Sequence, residues 1–293
     1  MINRTPKFIA TIVFFLLFLT LFLYFTFPTE ALKKRVVAEI ENNTGFHAEI
    51  SEVGISPFLE LKIKNLNLTK KQRDIDIKID TLKLKPSLLS MILGKKNFPF
   101  VAEIGEGKID GNLVYSSKSN TPDSLTVDLK NVHTDLVTSF TKSGKNTPEF
   151  DGEIDGKINL IFDNKNKRNV KGNFTFTSNN MSIKKLKFEG LSLPSYKDLL
   201  VNLNGKFEKN KTLIDELSFR NQDFDLILVG YMPLLWDIKP GGKLDLSLNL
   251  NLKSDEAKMG LLQAFMNKQT DGTLSAKIAG TLYKPKFVKG EKL

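Results

Sequence analysis

The chain contains no cysteine. A disulfide scaffold, a thiolate zinc site and a cysteine nucleophile are therefore excluded. Histidine is almost as scarce: His47 and His133 are the only two, and both stand in ordinary polar surroundings. A Ser-His-Asp hydrolase or a histidine-rich metal centre has little material to work with, so the composition points away from an enzyme and no cofactor is expected. Arginine is thin as well. The formal net charge is +10, yet the arginines are Arg4, Arg35, Arg73, Arg168 and Arg220 alone, the other cations being lysine. Bidentate contacts to phosphates and base edges favour arginine, so no nucleic-acid partner is expected. The charge reads as a compositional bias shared with the abundant Asn, Ile and Phe. Attraction to an anionic membrane surface is the functional alternative.

Long apolar runs are missing with one exception. Phe8 to Phe27, FIATIVFFLLFLTLFLYFTF, holds no charged residue. At about 1.5 Å rise per residue such a helix matches a hydrocarbon core of ~30 Å. A cleaved signal peptide is the competing reading, but its apolar stretch is usually about 7–15 residues and ends in a small-x-small site. Tyr24-Phe25-Thr26-Phe27-Pro28 offers no such site. An uncleaved anchor is expected, with Phe8, Ile9, Phe14, Leu17, Leu21, Leu23 and Phe27 among its membrane-facing residues. Arg4 and Lys7 on one side nearly balance Lys33, Lys34 and Arg35 on the other, so the positive-inside signal is weak. The short tail favours residues 1–7 in the cytoplasm, 8–27 across the inner membrane and 28–293 as one periplasmic β-rich domain. The expected localisation is single-pass in the inner membrane.

Helix signals after that run are few. Thr29 is placed to cap a helix with Glu30 in its first turn, Leu32, Val36, Val37 and Ile40 on one face, and Gly45 at its end. Shorter helices are expected after Pro86, ending at Gly94, and from Ser254 through Met266. Almost everything else alternates with period two: Leu59-Leu61-Ile63, Ile75-Ile77-Ile79, Leu82-Leu84, Leu125-Val127-Leu129, Ile158-Leu160-Phe162 and Phe174-Phe176. The clearest run is Leu244, Leu246, Leu248, Leu250 and Leu252, with polar residues between. Gly107-Lys-Ile-Asp-Gly-Asn-Leu-Val-Tyr115 resembles Gly152-Glu-Ile-Asp-Gly-Lys-Ile-Asn-Leu160, and Gly272 to Gly280 has related spacing. Asp-Gly pairs at 110–111, 151–152, 155–156 and 271–272 suggest turns or bulges. Loops are expected at 116–124, 141–148 and 163–169. The pattern is mainly β with few helices, a repeat-built, largely antiparallel sheet without a linker long enough to force a second domain.

Candidate chemistry is poor. Asp151, Glu153 and Asp155 imitate the start of a calcium loop, but Phe162 occupies the position of the bidentate Glu. Asp110 and Asp155 could be imagined as a glycosidase pair; each precedes a glycine and reads as a turn residue. Gly241-Gly242-Lys243 lacks the earlier glycine of a phosphate loop, where Asp237 stands. Trp236, between Pro233 and Pro240, reads as a packing plug.

What remains is an imbalance between many apolar strand stripes and few helices to cover them. The sheet either folds on itself as a sandwich or leaves an open groove for hydrocarbon chains. Leu59, Leu61, Ile63, Leu244, Leu246, Leu248, Leu250 and Leu252 are the candidate groove residues.

These features together resemble a known group. The apolar run, the helix ending in Asn43-Thr44-Gly45-Phe46, and the hairpin from Ile50 through Pro57 to Leu68 look like the opening of the AsmA/TamB-like envelope proteins of Gram-negative bacteria. The ending, Gly242-Lys-Leu-Asp-Leu-Ser-Leu-Asn-Leu250 and then Gly272 to Pro285, is similar to the type II secretion system protein N family, whose length also agrees better. The resemblance implies an anchored, curved AsmA-like sheet acting as a non-enzymatic accessory of type II secretion, with other periplasmic secretion components as partners. The wider likeness implies an alternative: a lipid-binding or lipid-transfer protein whose groove takes phospholipid or other acyl chains.

Overall fold

The computed structural model describes residues 14, 15, 18, 22, 26–56, 60–70, 75–86, 96–115, 121–134, 149–163, 170–185, 187–188, 191–192, 195–208, 211–234, 242–253, 266–281 and 284–289. Helix α1, Thr29–Thr44, leads into a series of strands. The first strands are β1 (His47–Ile55), β2 (Leu61–Lys70), β3 (Ile75–Leu84), β4 (Lys96–Ile104), β5 (Gly107–Tyr115) and β6 (Pro122–His133). They are followed by β7 (Glu149–Asp151), β8 (Glu153–Phe162), β9 (Val170–Lys184), β10 (Lys187–Phe188), β11 (Leu191–Ser192) and β12 (Tyr196–Glu208). The chain closes with β13 (Lys211–Arg220), β14 (Phe224–Pro233), β15 (Asp245–Leu252), β16 (Asn267–Lys268), β17 (Leu274–Thr281) and β18 (Lys284–Lys289).

Sixteen of these strands form one antiparallel sheet in the order β1-β2-β3-β4-β5-β6-β8-β9-β12-β13-β14-β15-β17-β16, with β18 on β17 and β7 on β9. The β10–β11 ribbon stands apart. Each long strand pairs with the long strand before and after it, so the fold is a meander, as the alternating runs predict, and it is not closed. Pairing of sequence neighbours keeps loop-closure cost low for every added strand.

Helix α1 behaves largely as expected. Leu32, Val36, Val37 and Ile40 pack on Ala48, Ile50, Val53, Ile63 and Leu66 of β1 and β2. Gly45 ends the helix in the left-handed region at φ 66°, and its N–H donates to Glu41 O at 3.0 Å. The N-cap is Pro28 rather than Thr29, which is the first helical residue.

Several expectations are corrected. The single-pass inner-membrane localisation does not stand: among the described residues no helix is long and apolar enough to cross a membrane. Helix α1 has 16 residues. That is about 24 Å, short of ~30 Å, and the helix carries Glu30, Lys33, Lys34 and Arg35. Within the earlier apolar run Phe14, Phe15, Phe18, Phe22 and Thr26 are helical and exposed, and Phe27 lies outside a helix. Phe8, Ile9, Leu17, Leu21 and Leu23 lie outside the described residues, as do the helices expected after Pro86 and from Ser254 to Phe265.

The Asp-Gly pairs at 110–111 and 155–156 are not turns; both stand inside strands, β5 and β8, the first in regular register and the second opposite the bulge between Leu129 and Val132 of β6. Asp110 pairs with Lys108 at 2.8 Å, and Asp155 Oδ1 accepts the N–H of Asn131 at 2.9 Å. Gly152 does separate β7 from β8, and Gly272 does lie in a turn. The loop expected at 116–124 ends sooner, because β6 starts at Pro122. Ile75-Ile77-Ile79 and Leu82-Leu84, two runs in the sequence, belong to one strand whose apolar phase slips by one residue. The slip repeats on the adjacent strands: Ile50 and Val53 on β1, and Ile63 and Leu66 on β2, are all buried despite a spacing of three. Asn65, at φ 50°, sits at the switch in β2.

Candidate functional site

Strand register decides which side chains share a face. Ala276 stands opposite Leu248, Leu248 opposite Leu228, Leu228 opposite Leu217, and Leu217 opposite Leu203. The same row continues through Phe176, Gly156, Leu129 and Ile109. It ends over Ala102, Leu82, Ile63 and Val53. The row beside it starts with Ile278, Leu246, Gly230 and Ile214, passes Gly205, Phe174, Ile158 and Val127, and finishes with Gly111, Phe100, Leu84, Leu61 and Ile55. Two unbroken apolar rows thus cross the sheet with one residue from every rung between β17 and β1. The bulge at Ile214/Leu217 keeps them in step on β13, because it absorbs one residue that would otherwise flip the face.

The opposite face is polar. It carries cross-strand ion pairs, among them Lys64–Glu52 at 2.8 Å, Lys83–Glu103 at 2.7 Å, Lys157–Asp128 at 3.1 Å and Lys206–Asp215 at 3.3 Å. Hydrogen bonding to Lys83, more than its charge, holds the Glu103 carboxyl below the ordinary value. This is the one greasy face and one wet face expected of an antiparallel sheet.

Along the apolar face the degree of cover varies. At the start, α1 lies over β1 and β2. From β8 to β14 the strand ends are closed by buried side chains. Leu160, Val170, Phe174, Phe207 and Leu234 gather at one end, with Phe174 and Phe207 ring centroids 4.8 Å apart. Met181, Ile183, Leu199 and Phe224 gather at the other. Between them Ile158, Phe176, Leu203, Leu217 and Leu228 are only half-buried. On β4 to β6 Phe100, Ile109, Val127 and Leu129 are half-buried too. The result is a trough with filled walls and a partly uncovered floor. Tyr196, in the second wall, has its hydroxyl pushed up in pKa by burial and then by the Asp223 charge, and the oxygen has no hydrogen-bond partner among the described residues.

The sequence-predicted groove residues fall on this face but not in one place. Leu61 and Ile63 lie at its beginning; Ile63 is 2% exposed beneath α1. Leu244, Leu246, Leu248, Leu250 and Leu252 belong to the cluster at the far end, where Leu250 is 1% exposed. Leu59 lies outside the described residues. The two sets are separated by the strands from β3 to β14. The centre holds residues outside the sequence-predicted groove set: Phe100, Val127, Phe176 and Leu203. The sequence pattern of Leu125-Val127-Leu129 and Phe174-Phe176 predicts strands without distinguishing them as groove lining. Gly111 and Gly156 were read as turn signals, whereas a phenylalanine ring occupies the space above each: a Cβ would meet Phe100 Cζ at 2.1 Å and Phe176 Cδ1 at 2.4 Å.

No cluster of three or more His, Asp or Glu able to hold a metal ion occurs among the described residues. His47 instead ties α1 to β1 through Glu41, Nδ1 to Oε1 at 2.7 Å. Comparison with family models, with curated proteins and with solved structures finds no match.

Proposed function

We propose that the protein is a non-enzymatic carrier of lipid hydrocarbon chains, which lie along the apolar face of the sheet. The observation that carries this reading is the pair of unbroken apolar rows whose central members stay half-exposed between filled walls. Monomeric surfaces seldom leave a contiguous apolar patch of this kind without a binding role, and each fully buried leucine or phenylalanine gains roughly 1.5–3 kcal/mol over one left in water. A hydrocarbon chain supplies that cover without asking for a hydrogen bond, which the floor has none to give. The reading agrees with the lipid-handling side of the AsmA/TamB resemblance. The type II secretion reading rests on the sequence resemblance alone, with no feature of the geometry favouring it over the lipid one.

The test is retention of phospholipid by the purified full chain, measured by mass spectrometry after gentle extraction. Lipid is expected in the wild type. Leu203→Asp places a charge on the half-exposed floor and should abolish retention while the sheet stays folded. Leu248→Asp, in the closed far cluster, buries an unpaired charge and should unfold its neighbourhood. A wild type free of lipid under the same extraction would overturn the proposal.

A further inference from the structure

We propose that Phe100 and Phe176, each lying across a glycine of the neighbouring strand, form a lowered floor that selects an unbranched hydrocarbon chain. The inference rests on the acyl-chain reading above and goes on to name the chain type. Phe100 of β4 faces Gly111 of β5, and Phe176 of β9 faces Gly156 of β8. Glycine weakens a strand interior and packs nothing itself, so two glycines opposite phenylalanines inside strands call for a reason. The close approach supplies it. A Cβ at either glycine would stand 2.1 or 2.4 Å from the ring. Carbon atoms sit best at about 3.5–4.0 Å, so any side chain there would lift the ring by roughly 1 Å or more into the trough.

The two rings lie four rungs apart, on β4 and β9, with β5, β6 and β8 between. At ~4.8 Å per rung that is about 19 Å. The hydrocarbon depth of one bilayer leaflet is roughly 15 Å, half of the ~30 Å core, so one acyl chain covers most of the distance between the rings. Over this stretch Val132 of β6 and Leu160 of β8 are buried at the sides, while the glycines leave the floor low. A slender chain fits lengthwise between these two side chains; methyl branches meet them. A third pair, Phe174 over Gly205, shows a similar ring approach, 2.4 Å from Cβ to Cζ, but a Cβ there would also stand 2.5 Å from the backbone oxygen of Leu213, and the pair is buried inside the wall cluster. It serves packing and provides an internal control.

The experiment titrates the full chain with cis-parinaric acid, a fluorescent unbranched fatty acid, and displaces it with palmitate or with methyl-branched phytanate. Palmitate is expected to compete about tenfold better than phytanate, the usual scale for a methyl group refused by an apolar site. Phe100→Leu and Phe176→Leu keep the glycines and remove the rings, so parinarate should still bind while the palmitate preference shrinks toward unity. Gly156→Ala should weaken parinarate binding by about tenfold. Gly205→Ala should lower the melting temperature and leave the preference intact. Equal competition in the wild type, or an undiminished preference in both Phe→Leu variants, overturns the floor and leaves the lipid reading standing. Failure of the wild type to bind parinarate overturns both. Should Gly156→Ala not fold, the Phe→Leu variants decide.

Discussion

At Gly230 in β14 the backbone takes φ 135°, and a Cβ there would stand 2.2 Å from the carbonyl oxygen of Asp245 on β15. That neighbour is backbone and cannot swing aside. Gly230→Ala therefore forces β14 and β15 apart as well as straining its own dihedral, and is expected to cost at least the ~1–3 kcal/mol of a held backbone outlier; chemical denaturation would measure it. Ile161→Ala is the contrast. Ile161 lies on the outer face at 63% exposure, and its truncation should stay within about 0.5 kcal/mol. A large loss at Ile161 would mean that the polar face is covered by something not yet accounted for.

The helix and the first strand are joined as elements by one carboxylate. Glu41 Oε1 accepts the N–H of Ala48 at 3.1 Å and contacts His47 Nδ1 at 2.7 Å. The backbone bond first, and the His47 contact second, hold the Glu41 carboxyl below its ordinary value of 4.5. A depressed carboxylate stabilises the fold above its unfolded pKa, and the contribution is lost as pH falls through the folded value. Docking of α1 on β1 should therefore weaken below about pH 4.5, seen as faster hydrogen exchange at Ala48 and along α1. Glu41→Gln should remove this pH dependence, since an amide oxygen still accepts the Ala48 bond. Retention of the dependence in that variant would assign it to another group.

The molecule as a whole resembles a repeat array in its connectivity, each strand meeting the strands beside it. The cluster beneath α1 and the cluster around Leu250 share no residue. Ile63→Ala and Leu250→Ala, at 2% and 1% exposure, should each cost roughly 2–5 kcal/mol, and each should act locally. Hydrogen exchange is expected to quicken in β1–β3 for the first and in β14–β17 for the second. Uniform loss of protection across the sheet in either variant would show that the meander unfolds as one unit.

Much of this architecture was legible in the order of residues. Leu244 to Leu252 at alternate positions fixes an amphipathic strand, because side chains of a strand point to opposite faces in turn. Leu32, Val36, Val37 and Ile40 fix the face of α1 for the same kind of reason. The absence of cysteine and the poverty of histidine set the chemical limits before any fold was known. The tertiary structure decided what depends on partners distant in sequence. Gly111 and Gly156 read locally as turn residues, and only the register of β4 against β5 and of β8 against β9 sets Phe100 and Phe176 above them. The bulge between Ile214 and Leu217 breaks the simple alternation of β13, yet it keeps the two apolar rows continuous because the extra residue is absorbed between them. Local periodicity names the face of one strand; which faces join, and how far, is set by hydrogen-bond register between strands.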